Sequence, residues 1–205
     1  MSGPPWRSAS ATRGFRPLAV EFVGTADVSR TAFCKLLAIS MADPQLAVFG
    51  SSGLLARVGD EVDPAMAVAL GRIGLACEQV RSRPLDETIL SGSDLVLTMD
   101  SRQREFVANC WPNHAAKVFV LGRFVTQLGE FGMRSSVQLS RALSAIDPDA
   151  ADPESDVPDP RGWGDEATRS VARRLGAMTA AMLRALGVLA APGADSPEPR
   201  RGTPG

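Results

Sequence analysis

Tyrosine is absent from the 205 residues, histidine occurs once and cysteine three times. The first absence excludes a tyrosine phosphorylation site on the chain itself. His114, between Asn113 and Ala115, reads as a surface residue without metal-ligand partners. Cys34, Cys77 and Cys110 are too few for a disulfide framework, so reduced thiols and a cytoplasmic location are expected. No apolar run approaches the ~18 residues of a membrane span. The basic start MSGPPWRSASATRGFRP has no apolar core and reads as a poor secretion signal. An excess of either charge is missing too: 22 Lys and Arg face 23 Asp and Glu. No general attraction to nucleic acid or membrane follows, so any anion site must be local.

What is present suits one globular domain: 44% hydrophobic residues and a mean hydropathy near zero. Residues 1–16 and 190–205, rich in Pro, Gly, Ser and charge, read as disordered tails around a domain at 17–189. Within it, apolar runs at 18–23, 45–50, 95–99 and 117–121 read as strands. Helical spacing marks 31–41, the stretch after Asp63-Pro64 up to Gly74, the stretch after Asp100-Ser101, 135–146 and 165–189. Strands alternating with helices predict an α/β fold, a four-stranded parallel sheet with helices on both faces. Ligands of such sheets bind at the carboxyl ends of strands, beside a switch in strand order.

The loop after the first strand reads Gly24-Thr25-Ala26-Asp27-Val28-Ser29-Arg30-Thr31. A short strand-to-helix loop turns consecutive N–H groups inward as an anion nest, and the helix adds partial positive charge. Arg30 can grip two phosphate oxygens bidentately. The spacing is that of phosphatase loops written C-x5-R-[ST], but Gly24 stands at the cysteine position. Gly-Lys-[Ser/Thr] and G-x-G-x-x-G are both absent, which excludes nucleotide and dinucleotide loops of those types. The acidic stretch 147–159, interrupted by prolines, reads as a solvated connection and not as a metal loop. No cofactor is expected.

The chain resembles the low-molecular-weight protein-tyrosine phosphatases. Besides the loop, Ser51-Ser52-Gly53, Gly59-Asp60-Glu61-Val62-Asp63-Pro64, Arg81-Ser82-Arg83, Asp94-Leu95-Val96-Leu97-Thr98-Met99-Asp100 and Asp156-Val157-Pro158-Asp159-Pro160 follow the family's motifs in order. The resemblance implies that Gly24 occupies the nucleophile's position and that Arg30 stabilises the transition state. Thr31 then replaces the hydroxyl that assists the thiolate, and Asp159 is the general acid. It also implies departures. Asp27 replaces an Asn and Ser29 a second Cys. The segment with a supporting His is shortened near Arg57. Arg161 stands where an aromatic wall residue is usual, leaving Trp163 as the nearby aromatic. Asp27, Ser52 and Arg57 either form a charged version of the family's loop brace or reflect drift in a loop no longer held by catalysis.

No other residue promises to rescue the chemistry. Cys34 should face the core, Cys77 and Cys110 lie on other elements, and Ser29 lacks a thiol's acidity. Losing a covalent nucleophile costs on the order of 10⁶ in rate in serine proteases. The expected function is capture of phosphotyrosine or another phosphate without turnover, or contact with a partner such as a tyrosine kinase. An active phosphatase with non-standard chemistry and an interaction scaffold with a vestigial pocket are the alternatives.

Overall fold

Four apolar runs become four strands in a computed structural model, which describes residues 16–128 and 153–191. They are β1 (Leu18–Gly24), β2 (Ala47–Gly53), β3 (Leu95–Thr98) and β4 (Val118–Val120). All pair in parallel, in the order β2-β1-β3-β4. The α-helices among the described residues are α1 (Arg30–Met41), α2 (Pro64–Arg72), α3 (Glu87–Gly92), α4 (Ser101–Cys110), α5 (Leu121–Leu128) and α6 (Asp165–Leu186).

Side chains alternate across a pleated strand, so each strand feeds two cores. Val20, Phe22, Leu95 and Leu97 join Phe33 of α1, Leu70 of α2, Phe124 of α5 and Leu175 of α6 on one face. Val23 and Val96 join Leu90 of α3 and Val107 of α4 on the other. The four-stranded α/β architecture read from the sequence is the one observed.

The helix signals also act as expected. Asp63 caps α2 by accepting from Met66 N at 3.2 Å, and Asp100 caps α4 by accepting from Gln103 N at 2.9 Å. Helix α6 stops at Leu186, short of the expected 189, because Gly187 turns left-handed with φ 66°. Two helices were not foreseen. α3 has only six residues, too few to show a period, and α5 starts directly after β4 with no turn residues between. The expected helix at 135–146 lies outside the described residues. Among the described residues, no helix is long and apolar enough to cross a membrane.

A charged residue is buried in the sheet. Glu21, 4% exposed, sits between Val20 and Phe22 on β1. Arg83 Nη2 donates to both its carboxylate oxygens at 2.9 Å, and Arg83 Nε donates to Ser51 O at 2.9 Å. Burial raises the Glu21 pKa against the pull of the Arg83 charge. Gly50 pairs with Glu21 across the β1–β2 ladder, and a Cβ there would fall 1.9 Å from Glu21 Oε2. Gly50→Ala must therefore push the carboxylate off Arg83. We expect it to lower stability by about 1–3 kcal/mol in urea unfolding, with an unchanged far-UV spectrum; a cost near zero would contradict this packing.

Candidate active site

The strand order reverses beside β1, so loop 24–31 lies where open parallel sheets bind ligands. Its carbonyls turn outward. Gly24 O and Thr25 O accept from Leu54 N and Leu55 N, at 2.9 and 2.7 Å. Val28 O accepts from Asp63 N at 2.7 Å, and Ser29 O from Phe33 N at 3.0 Å. Among the described residues, none of the amides of residues 26–30 donates to another backbone carbonyl. Carbonyls bonded outside the loop and amides without a backbone partner are the arrangement of an anion nest.

Asp27 gives the loop its turn. Its φ is 56°, a left-handed value that Asp adopts more readily than most residues. Its carboxylate, only 3% exposed, accepts from Thr31 Oγ1 at 2.8 Å and from Arg83 N at 3.2 Å. The Ser51 hydroxyl is close enough to lower its pKa without reaching hydrogen-bond geometry. Burial outweighs these contacts, and the Asp27 pKa is raised.

The expected brace is therefore corrected. The side chain of Arg57 does not pair with Asp27: the residue is exposed, and its carbonyl accepts from Ser82 Oγ. Ser52 is buried, but its hydroxyl lies near Glu21 and not Asp27. Arg83 does the bracing, with its amide on Asp27 and its guanidinium on Glu21. The signal was an acid inside an apolar strand, which implies a cationic partner.

Gly24 and Thr31 fit each other. A Cβ on Gly24 would fall 2.8 Å from Thr31 Cγ2. The Thr31 hydroxyl is held by Asp27, so its methyl faces the place where the family carries a nucleophile. Thr25 Oγ1 accepts from Gln103 Nε2 at 3.1 Å, which ties the loop to α4. Ser29 Oγ is buried without a hydrogen-bond partner.

Arg30 is 5% exposed. Its Nη1 donates to Val157 O at 2.5 Å and lies 3.5 Å from Asp100 Oδ2; its Nη2 lies 3.4 Å from Asp159 Oδ2. Asp159 is also held by Arg161, whose Nη2 and Nε reach Oδ2 at 2.9 and 3.1 Å. Burial raises the Asp159 pKa, but the Arg161 hydrogen bonds and the Arg30 charge together outweigh it and leave it lowered. Asp159 is thus held as a counter-ion to Arg30 and Arg161. Asp156 accepts from Ser101 N and Oγ at 2.9 and 2.8 Å, pinning this segment to α4.

Loop residues 24–31 with Asp159 and Arg161 enclose a cavity of about 10 Å³, room for roughly one water. A wider cleft of about 750 Å³ opens beside it, lined by Leu54, Leu55 and Phe106 among others. Phe106, 47% exposed, is the aromatic of this cleft, whereas Trp163 lines neither space. The signal for Phe106 was a large apolar residue on the polar helix SRQREFVANC. Cys34 is fully buried, and burial pushes its thiol up to about 12. His114 is not a free surface residue: it is partly buried, with Nε2 2.7 Å from Glu87 Oε1. Among the described residues, no cluster of three or more His, Cys, Asp or Glu could hold a metal ion.

A sequence model of the low molecular weight phosphotyrosine protein phosphatases matches residues 19–141. The chain belongs to this family. The low molecular weight protein-tyrosine-phosphatase Ptp of Acinetobacter johnsonii is 28% identical over 81 residues, 40% of this chain and 56% of that protein. The chain thus matches little more than half the length of that relative. Two solved structures share the fold. A YwlE mutant from Bacillus subtilis has a TM-score of 0.65 at 24% identity, covering 83% of this chain and 99% of that one. The YwlE arginine phosphatase from Geobacillus stearothermophilus has a TM-score of 0.65 at 21% identity, covering 83% and 94%.

Two outcomes are expected of this phosphatase-family loop. Gly24→Cys alone should stay almost inactive on an aryl phosphate, because the new side chain meets the Thr31 methyl. Gly24→Cys with Thr31→Ser should turn over about tenfold faster or more, a barrier lower by about 1.4 kcal/mol. Equal rates for the two variants would show that Thr31 does not block the site. Separately, a raised Asp27 pKa favours the folded state below the ordinary value of 3.8, and that contribution is lost as pH rises through the folded pKa. Asp27→Asn should therefore raise the melting temperature at neutral pH, with the gain vanishing as pH falls toward 3.8. A gain that persists in acid would refute the assignment.

Proposed function

We propose that this protein is a non-catalytic phosphatase homologue that captures a phosphate monoester, phosphotyrosine first, in loop 24–31. The observation that carries this reading is the set of inward amides at residues 26–30, which have no backbone partner. Arg30 and Arg161 supply the cations. The phosphate displaces the Asp159 carboxylate from Arg30, one anion replacing another, so the buried guanidinium stays paired. Gly24 carries no thiolate, which removes a repulsion of about 4 kcal/mol per charge pair at ~4 Å in a medium of effective dielectric near 20. The wide cleft at Leu55 and Phe106 takes the aryl group and flanking residues. A phosphorylated protein is the natural ligand on this reading, and a tyrosine kinase is one partner that would carry it.

A solved structure of the same fold is named an arginine phosphatase, so phosphoarginine belongs beside phosphotyrosine in the test. Calorimetric titration should show saturable binding of phosphotyrosine. Asp159→Asn should bind about tenfold tighter, about 1.4 kcal/mol, because the internal competitor loses its charge. Arg30→Ala should lose binding. Failure of both wild type and Asp159→Asn to bind either ligand would leave an interaction scaffold with a vestigial pocket. Substantial wild-type turnover of an aryl phosphate, abolished by Arg30→Ala, would establish an active enzyme and sink the proposal.

A further inference from the structure

Between α1, α2 and α6 lies a second cavity of about 430 Å³, within the range of about 300–1,000 Å³ typical of small-molecule sites. None of its lining residues belongs to the phosphate loop or to segment 156–161. Phe33, Leu37 and Met41 form its floor, at successive i, i+4 positions on one face of α1. Small residues keep it open. Gly176 lines it, and a Cβ there would meet only Leu37 Cδ2, at 3.9 Å. Ile73, at its edge on α2, is 51% exposed.

Three cations surround this apolar space: Arg72 of α2, and Arg169 and Arg173 of α6. Arg169 and Arg173 are one helical turn apart, where like charges disfavour the helix by a few tenths of a kcal/mol, about 0.2–0.5. Arg169 pairs with Glu166 on its own helix. Arg72 and Arg173 have no ion-pair partner among the described residues. An apolar slot between cations is complementary to one kind of molecule. A neutral hydrocarbon would leave the arginines without a counter-charge, and a cationic amphiphile would be repelled. A space bounded by three helices suits a single hydrocarbon chain better than a peptide helix, which needs a long groove.

We infer that this cleft binds an anionic amphiphile, its hydrocarbon chain lying along the Phe33–Leu37–Met41 face and its acid head held by Arg72 and Arg173. The site is independent of the phosphate loop. The full chain is titrated calorimetrically with octanoate, decanoate and dodecanoate, and with dodecanol and dodecyltrimethylammonium as controls. Affinity for the carboxylates should rise about fourfold per added CH₂. Arg72→Gln with Arg173→Gln should weaken dodecanoate about tenfold or more, about 1.4 kcal/mol. Gly176→Leu should fill the slot and abolish binding, while thermal melting and phosphotyrosine binding stay as in wild type. Equal binding of dodecanol or the ammonium amphiphile would overturn the inference. So would binding that survives Gly176→Leu, or no saturable carboxylate binding by the folded chain. Capture of an acidic amphipathic peptide in place of dodecanoate would overturn it as well.

Discussion

Arg30 is a cation almost entirely removed from water, and such a charge persists only if it is paired and hydrogen-bonded. Its partners arrive from three directions: the Val157 carbonyl, Asp100 at the start of α4, and Asp159. The segment carrying Val157 and Asp159 is anchored to the end of β3 by Val157 N donating to Met99 O at 2.9 Å. One guanidinium thus joins the start of α1, the cap of α4 and the late acidic segment. The shape of the pocket, its charge and its closure all follow from where that cation is neutralised.

The departures from the family are therefore coupled, and not scattered. Without a thiol at position 24, the threonine methyl can occupy the space beside it, and the threonine hydroxyl turns to Asp27. Asp27 accepts from that hydroxyl and from the Arg83 amide, while the Arg83 side chain goes to Glu21. Asp159 lies between two arginines, whose hydrogen bonds and charge outweigh its burial and lower its pKa. Gly24 stands where the family carries its nucleophile and Asp159 is engaged by two arginines, while the amides of residues 26–30 have no backbone partner and the hydroxyls of Ser29, Ser51 and Ser52 have none at all.

Much of this was legible in the sequence, and what was not has physical causes. Strands and long helices announce themselves by apolar period, and the caps Asp63 and Asp100 by their chemistry. Helix α5 was hidden because it begins at the residue after β4, where no turn signal exists. The loop and Arg30 were legible from their spacing, and Asp159 through the resemblance of its motif to the family's. The brace was not. A sequence shows that Asp27 is acidic, but which residue reaches it depends on a contact spanning 56 residues, made by the backbone amide of Arg83. Arg57 was the nearer choice along the chain. Arg83 is the one the sheet brings in, and Glu21, an acid in an apolar strand, was the clue to it.

Retention of Arg30 does not by itself argue for a ligand. Its bonds to Val157 and Asp159 hold the late segment against α1, and folding alone would keep it. The amides of residues 26–30 are different. Buried backbone donors are almost always paired, and a loop of this length could pair some of them by a tighter turn or a side-chain cap. Here the N-cap residue Ser29 offers no side-chain bond, and the carbonyls are spent on Leu54, Leu55 and Asp63. These outward bonds engage the carbonyls and leave the amides of residues 26–30 without a backbone partner. It is this set of unpaired donors, and not Arg30, on which the proposed anion site rests.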